Sequence, residues 1–419
     1  MVKPALLVAT IIATGLACAC GPIAGPVTVE ALVADQSAEG GARLDDVELE
    51  TVENLRTGRG SDFDVVGGLK MVGDAVLEAG RGADSDDELI ERARATGGWH
   101  DVNAHLSFDG TRWVAEDFQT LTLFSAFAGL ERAWRYAEDV GDDSGATGQH
   151  ALVGLEASTV LSGTLPINLM TSDNAAYAAP LDSWLLLRVA VQDGVPFAMS
   201  ADILAHEYGH RFFHKNVYDD ERAFAFFKKG FTEMTDLEQR ASRLARGVDE
   251  GLADLFSLGV TGEVQGVPRV FEAAGPLFAP ESGRRDLEGG FADVATYQNL
   301  RDLTLDSELL DGCGASAQGD LFSQASFNHY CLGTVLARSL WDASGRDVEV
   351  LRGDVQPAVR RALSRMAENI AASDDFDVDL LLEPVAAELP PGARRDAACA
   401  AFRDKFGVLV DEGRVPTCS

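Results

Sequence analysis

The six residues Ala205-His206-Glu207-Tyr208-Gly209-His210 constrain this 419-residue chain more than any other stretch. Histidines four apart lie one turn apart on the same face of an α-helix, so both imidazoles can aim a nitrogen at one ion. Glu207 projects beside that point, within reach of a water on the ion. A helix is credible on local grounds: Ile203, Leu204 and Tyr208 recur at helical spacing, and Ser200 or Asp202 can cap its start. The pattern H-E-x-x-H carries a mechanism of two zinc ligands and a general base. The plain alternative is an amphipathic helix with solvated histidines and glutamate.

A catalytic ion needs a third protein ligand from another element. Downstream, Asp249-Glu250-Gly251-Leu252-Ala253-Asp254 lies in a helical run, VDEGLADLFSLG. Glu250 and Asp254 are four apart, so one can bind metal while the other holds a ligating imidazole. His214 follows His210 by one more turn, but three histidines along a straight helix cannot converge on one tetrahedral ion. It reads as a surface or helix-terminal histidine.

HEYGH followed by EGLAD resembles the gluzincin zinc metallopeptidases, the thermolysin-like and fungalysin-like enzymes. The resemblance continues upstream in Ser172-Asp173-Asn174-Ala175-Ala176-Tyr177. Downstream it includes Asn328-His329-Tyr330 leading into GTVLARSLWD, so it covers roughly residues 170 to 342. It implies that His206, His210 and Glu250 bind zinc and that Asp254 orients a ligand histidine. It also implies that Glu207 is the general base, that His329 stabilises the oxyanion, and that Asn174 and Ala175 hold the substrate backbone. Asp202, four before His206, is similar to a calcium-binding position of that family, and helix capping accounts for it equally. Three departures stand out. The interval between His210 and Glu250 is long; its only tyrosine is Tyr218; and near His329 the polar neighbours are Gln324 and Asn328, with Asp320 further away.

A formal net charge of −32 and a pI near 4.4 argue against nucleic acid or an anionic membrane surface as the main partner, and no nucleic acid is expected. The N-terminus, Met1-Val-Lys3 followed by apolar Ala5 to Leu16 and then Cys18 and Cys20, has the order of a secretory signal over 1–20 and is similar to a lipoprotein box. The expectation is an exported bacterial protein, secreted or held at the envelope, touching membrane only through an N-terminal lipid. Cys313, Cys331, Cys399 and Cys418 can form two bridges in such a compartment. Three connectivities are possible, and proximity favours Cys313 with Cys331 and Cys399 with Cys418.

Residues 21–60, acidic and without sustained periodicity, read as a flexible tether. Residues 61–200 read as a β-rich N-terminal lobe with a helix over 121–138, a shorter one over 87–95, and strands near 104–108, 150–155 and 185–191. Residues 201–419 read as a helical lobe with helices over 201–215, 220–244, 247–259, 328–343, 355–371 and 392–405. The expected fold is α+β and zincin-like, with the active-site helix between the lobes. The expected function is an exported zinc-dependent metalloendopeptidase, monomeric, acting on peptide or protein substrates; no G-x-M-E-N stretch supports an exopeptidase. The alternative is a lipid-anchored binding or inactive protein on a gluzincin scaffold.

Overall fold

In the stretch Val27-Thr-Val-Glu-Ala-Leu-Val-Ala34, apolar and polar residues nearly alternate, which buries one face of a strand and leaves the other to water. Strand β1 (Val27–Ala34) pairs antiparallel with β2 (Ala42–Leu49), Val29 opposite Val47, and Val29, Ala31 and Leu49 are fully buried. The expected tether over 21–60 is corrected here from residue 27 onward. Its acidic residues mask a period of two by occupying the wet face, and Val52 and Leu55 are buried as well.

The computed structural model describes residues 25–34, 42–61, 63–67, 70–72, 103–142, 144, 149–158, 175–179, 182–187, 196–218, 234–273, 279–316, 319–372 and 376–419. The signal over 1–20, the helix over 87–95, Asn174 and the interval 219–233 lie outside these residues. Among the described residues, no helix is long and apolar enough to cross a membrane.

After β2 come β3 (Val52–Asn54), β4 (Arg59–Gly60), β5 (Phe63–Gly67), β6 (Lys70–Val72), β7 (Leu106–Phe108) and β8 (Trp113–Ala115). Helix α1 (Phe118–Asp139) follows, capped by the Asp117 side chain, and then β9 (Gln149–Ser158), β10 (Ala175–Ala178) and β11 (Ser183–Leu187). One sheet has the order β2-β1-β8-β7; the other runs β10-β11-β9-β5-β4-β3, with β6 also beside β9. Glu131 of α1, buried, accepts the backbone N–H groups of Glu50 and Thr51 at 3.0 and 2.6 Å and so ties the N-terminal strands to the helix.

From residue 201 the described chain is helical: α2 (Ala201–Val217), α3 (Asp236–Thr261), α4 (Gly266–Ala273), α5 (Ala279–Arg285), α6 (Gly290–Val294), α7 (Tyr297–Arg301), α8 (Ser307–Gly312), α9 (His329–Ala343), α10 (Gln356–Ala372), α11 (Asp379–Glu388) and α12 (Ala393–Asp411). The molecule is thus mixed α+β, with helices dominating the C-terminal half. Two expected helices, 220–244 and 247–259, are corrected to a single α3 that begins at a Thr235–Glu238 capping box. Gly247, inside this helix, is a contact point, where an added Cβ would come 2.8 Å from the Leu332 side chain. The bridges are Cys313–Cys331, joining the end of α8 to the start of α9, and Cys399–Cys418, joining α12 to the C-terminal turn.

Candidate metal centre

Ser200 starts α2 by accepting the N–H of Ile203 at 3.3 Å, and the helix is buried along most of its length. Its contacts with α3 are made at the smallest residues: a Cβ on Gly209 would sit 2.6 Å from the Ala253 Cα. On the other side of α3, a Cβ on Gly251 would sit 2.4 Å from the Gly333 carbonyl oxygen of α9. Glycines within HEYGH and EGLAD therefore let three helices approach until their polar side chains meet. Trp184 of β11 stacks on Tyr208, and Tyr208 on Phe256 of α3, at ring separations of 5.5 and 5.8 Å, fixing how α2 is rotated.

That rotation turns His206, His210 and Glu250 toward one point, their ligand atoms all within 4.8 Å of one another. The Nε2 atoms of the two histidines are 3.0 Å apart, and Glu250 Oε2 lies 3.4 and 3.7 Å from them. A tetrahedral ion with bonds of about 2 Å has ligand–ligand edges of about 3.3 Å, so this triangle is the right size for one. Glu250 Oε2 is buried with no hydrogen-bond partner, although a buried carboxylate oxygen needs one or an ion. On donor type, spacing and this unsatisfied oxygen, the group fits a zinc-sized ion.

Carboxylates hold both rings from behind. His206 Nδ1 is 3.0 Å from Asp254 Oδ1, and His210 Nδ1 is 2.9 Å from Asp249 Oδ1. Burial alone would push His210 down, but Asp249 and Glu250 outweigh it and raise its pKa to about 10. His206 is raised as well, Asp254 and Glu250 overcoming burial and the opposing charges of Arg285 and His210. Glu250 is held well below the carboxylate range: burial works against this, but His210 together with His206 and His329 prevails. The cluster thus strongly favours positive charge at its centre.

Arg285, at the end of α5, was not foreseen. It is buried, sits between the rings of Phe271 and Tyr330, and donates to Asp254 through Nε at 3.1 Å and through a terminal nitrogen. That terminal nitrogen is 3.0 and 3.2 Å from the two ring nitrogens of His206, so it lies against the ring rather than in line with either lone pair. No spacing rule links residue 285 to residue 254. Asp249 had a signal, its adjacency to Glu250, that went unused.

His329 opens α9, whose cap is Asn328, and its Nε2 is 3.5 Å from Glu250 Oε1. Asp320 bonds Arg240, and Gln324 bonds the Ser316 backbone. Ala175 and Tyr177 belong to β10, the outermost strand of its sheet, and the Tyr177 N–H donates to Glu207 Oε2 at 2.8 Å. Strand and metal group share a cleft of about 540 Å³, with Phe197, Ile203 and Phe271 among its apolar walls. His214 and Tyr218 line the same cleft. His214 stands in the last turn of α2, as expected of a helix-terminal histidine, and its ring packs against Tyr177 and Tyr218 at 6.0 and 5.3 Å.

Asp202 is buried at the first turn of α2, and burial raises its pKa to about 6 despite a hydrogen bond from Thr261. The acid near it is Glu263 and the base Arg132. Among the described residues, the group of three or more histidine, cysteine, aspartate or glutamate ligands is His206, His210 and Glu250, and Asp202 is not part of it. No family model matches the chain, and no curated protein is similar to it.

Proposed function

We propose that this chain is an exported zinc-dependent metalloendopeptidase of the gluzincin kind, with a zincin-like arrangement of its lobes. One observation carries the reading: Glu207 stands beside a His-His-Glu group of metal-binding size while its carboxylate grips the backbone of an edge strand. Zinc held by His206, His210 and Glu250 would act as a Lewis acid toward a peptide carbonyl and lower the pKa of bound water.

The remaining chemistry belongs to the chain. Tyr177 holds Glu207 through Oε2, which directs Oε1 to take up a proton and hand it to the amine nitrogen of the departing product. A substrate peptide adds beside β10 as a further strand, next to Glu207, which the Tyr177 N–H holds. Asp254 and Asp249 fix the ligand rings, and Arg285 restrains Asp254. His329, on the opposite side of Glu250, would donate to the oxyanion. The two bridges and the order of residues 1–20 support export.

The test is metal content together with cleavage of an unstructured protein such as casein, with and without a chelator. One zinc per chain and chelator-sensitive cleavage are expected. Glu207→Gln should keep the zinc and lose activity by about 100-fold or more; Glu250→Ala should lose the zinc. Zinc without cleavage would favour the binding-protein alternative, and absence of zinc would overturn the site.

A further inference from the structure

One face of α2 carries charged side chains at four-residue intervals, Glu207, Arg211 and Lys215, and all three engage the β10–β11 hairpin. Glu207 accepts from the Tyr177 N–H at 2.8 Å. Arg211, only 1% exposed, donates from Nε to Asp182 Oδ1 at 3.0 Å and from a second nitrogen toward Oδ2 at 3.5 Å. Lys215 Nζ lies 3.4 Å from the same carboxylate. Asp182 closes the turn, its N–H donating to Ala179 O at 3.1 Å, and it does so at φ +40°, which an aspartate tolerates only at an energetic cost.

Tyr177 joins the two ends of this row. Its N–H holds Glu207, while its hydroxyl donates to Asp182 Oδ1 at 2.9 Å. Because side chains and backbone groups alternate along a strand, a slip of one residue in β10 would turn the Tyr177 N–H away from Glu207 and its ring away from Asp182. Both contacts hold in one register only.

We infer that Asp182 and Arg211 are positioning residues for the reaction, clamping β10 along the metal-binding helix so that the peptide-binding edge and the Glu207 carboxylate keep a fixed relation. This rests on the peptidase reading above. Pairing with β11 runs along the whole of β10, from Ala175–Leu186 to Ala178–Ser183, but fixes it only to its neighbour strand; among the described residues of the hairpin tip, Asp182 is what ties it to α2 by charged pairs. Loosening the tip should therefore harm substrates that lie along the strand more than those that reach only the scissile bond. Arg211 also meets Ser144 Oγ at 3.2 Å and the Tyr208 hydroxyl at 3.4 Å, so Asp182 is the cleaner residue to change.

The experiment compares zinc-loaded wild type with Asp182→Asn on two substrates, a peptide of eight or more residues and a blocked dipeptide, and measures amide exchange in β10. For the variant, unchanged zinc content and a loss of kcat/KM of about 100-fold on the long peptide are expected, with about tenfold or less on the dipeptide. Equal loss on both substrates, or no loss, overturns the inference. Should Asp182→Asn fail to fold, Tyr177→Phe removes a single hydroxyl and should show the same ordering with smaller losses. Wild type that cleaves neither substrate sinks the peptidase reading instead. The clamp is then judged on exchange alone: β10 amides at least tenfold faster in the variant sustain it, and unchanged rates overturn it.

Discussion

At the scale of single residues, Asp202 separates two accounts of the first turn of α2. Burial raises its pKa to about 6 from 3.8. The folded chain thus holds this proton more tightly than the unfolded chain does. Below about pH 3 both states are protonated and the group is neutral to stability. As the pH rises from about 3 to 6 the unfolded state ionises first, so stability falls, and above 6 the full penalty is present, roughly 3 kcal/mol. Asp202→Asn should accordingly stabilise the protein at pH 7.5 by up to about 3 kcal/mol and leave it unchanged at about pH 3, as read from urea unfolding. If Asp202 held calcium, the sign would reverse in its presence: the variant would be the less stable protein at pH 7.5 with calcium and would lose that deficit on chelation.

At the scale of elements, the site depends on how closely α3 approaches its neighbours. Gly251 faces the Gly333 carbonyl, a backbone atom that cannot rotate aside. Gly251→Ala should push α3 from α9, destabilise by about 1–3 kcal/mol as overpacking does, and weaken zinc binding by moving Glu250 away from the histidines. Unchanged affinity in a zinc-chelator competition would show that Glu250 is placed independently of that contact. This element-level logic also explains what could be read beforehand. Residues linked by helical spacing, His206 with His210 and Glu250 with Asp254, were legible because one helix fixes each pair. Arg285 was not, because it lies two helices beyond Asp254 and only tertiary packing brings the two together. The packing roles of Gly247 and Gly251 were hidden for the same reason: their partners, Leu332 and Gly333, lie far along the chain. The helix-terminal place of His214 was legible from its spacing, whereas the rings that pack against it, Tyr177 and Tyr218, were not.

At the scale of the whole molecule, the acidic N-terminal segment decides whether the rest can stand. Its composition, within a chain of net charge −32, resembles a solvated linker. Yet Val29, Ala31, Leu49, Val52 and Leu55 are 0–3% exposed, and Leu32 N–H donates to Ser125 of α1 at 3.0 Å. Each buried Val or Leu contributes about 1.5–3 kcal/mol, so the four such side chains together approach the total stability of roughly 5–15 kcal/mol typical of a protein. Removing residues 1–60 also strips β1 and β2 from β8 and uncovers the side of α1 that carries Glu131, leaving that buried carboxylate without the Glu50 and Thr51 N–H groups. A chain beginning at residue 61 should therefore lose cooperative unfolding or aggregate, whereas one beginning at residue 25 keeps β1 and β2 and should still unfold cooperatively. The measurement is thermal unfolding of the two truncations side by side. A sharp transition at the full-length Tm for the shorter chain would mean that the first sheet is an accessory layer, and that the metal-binding helices form a core of their own.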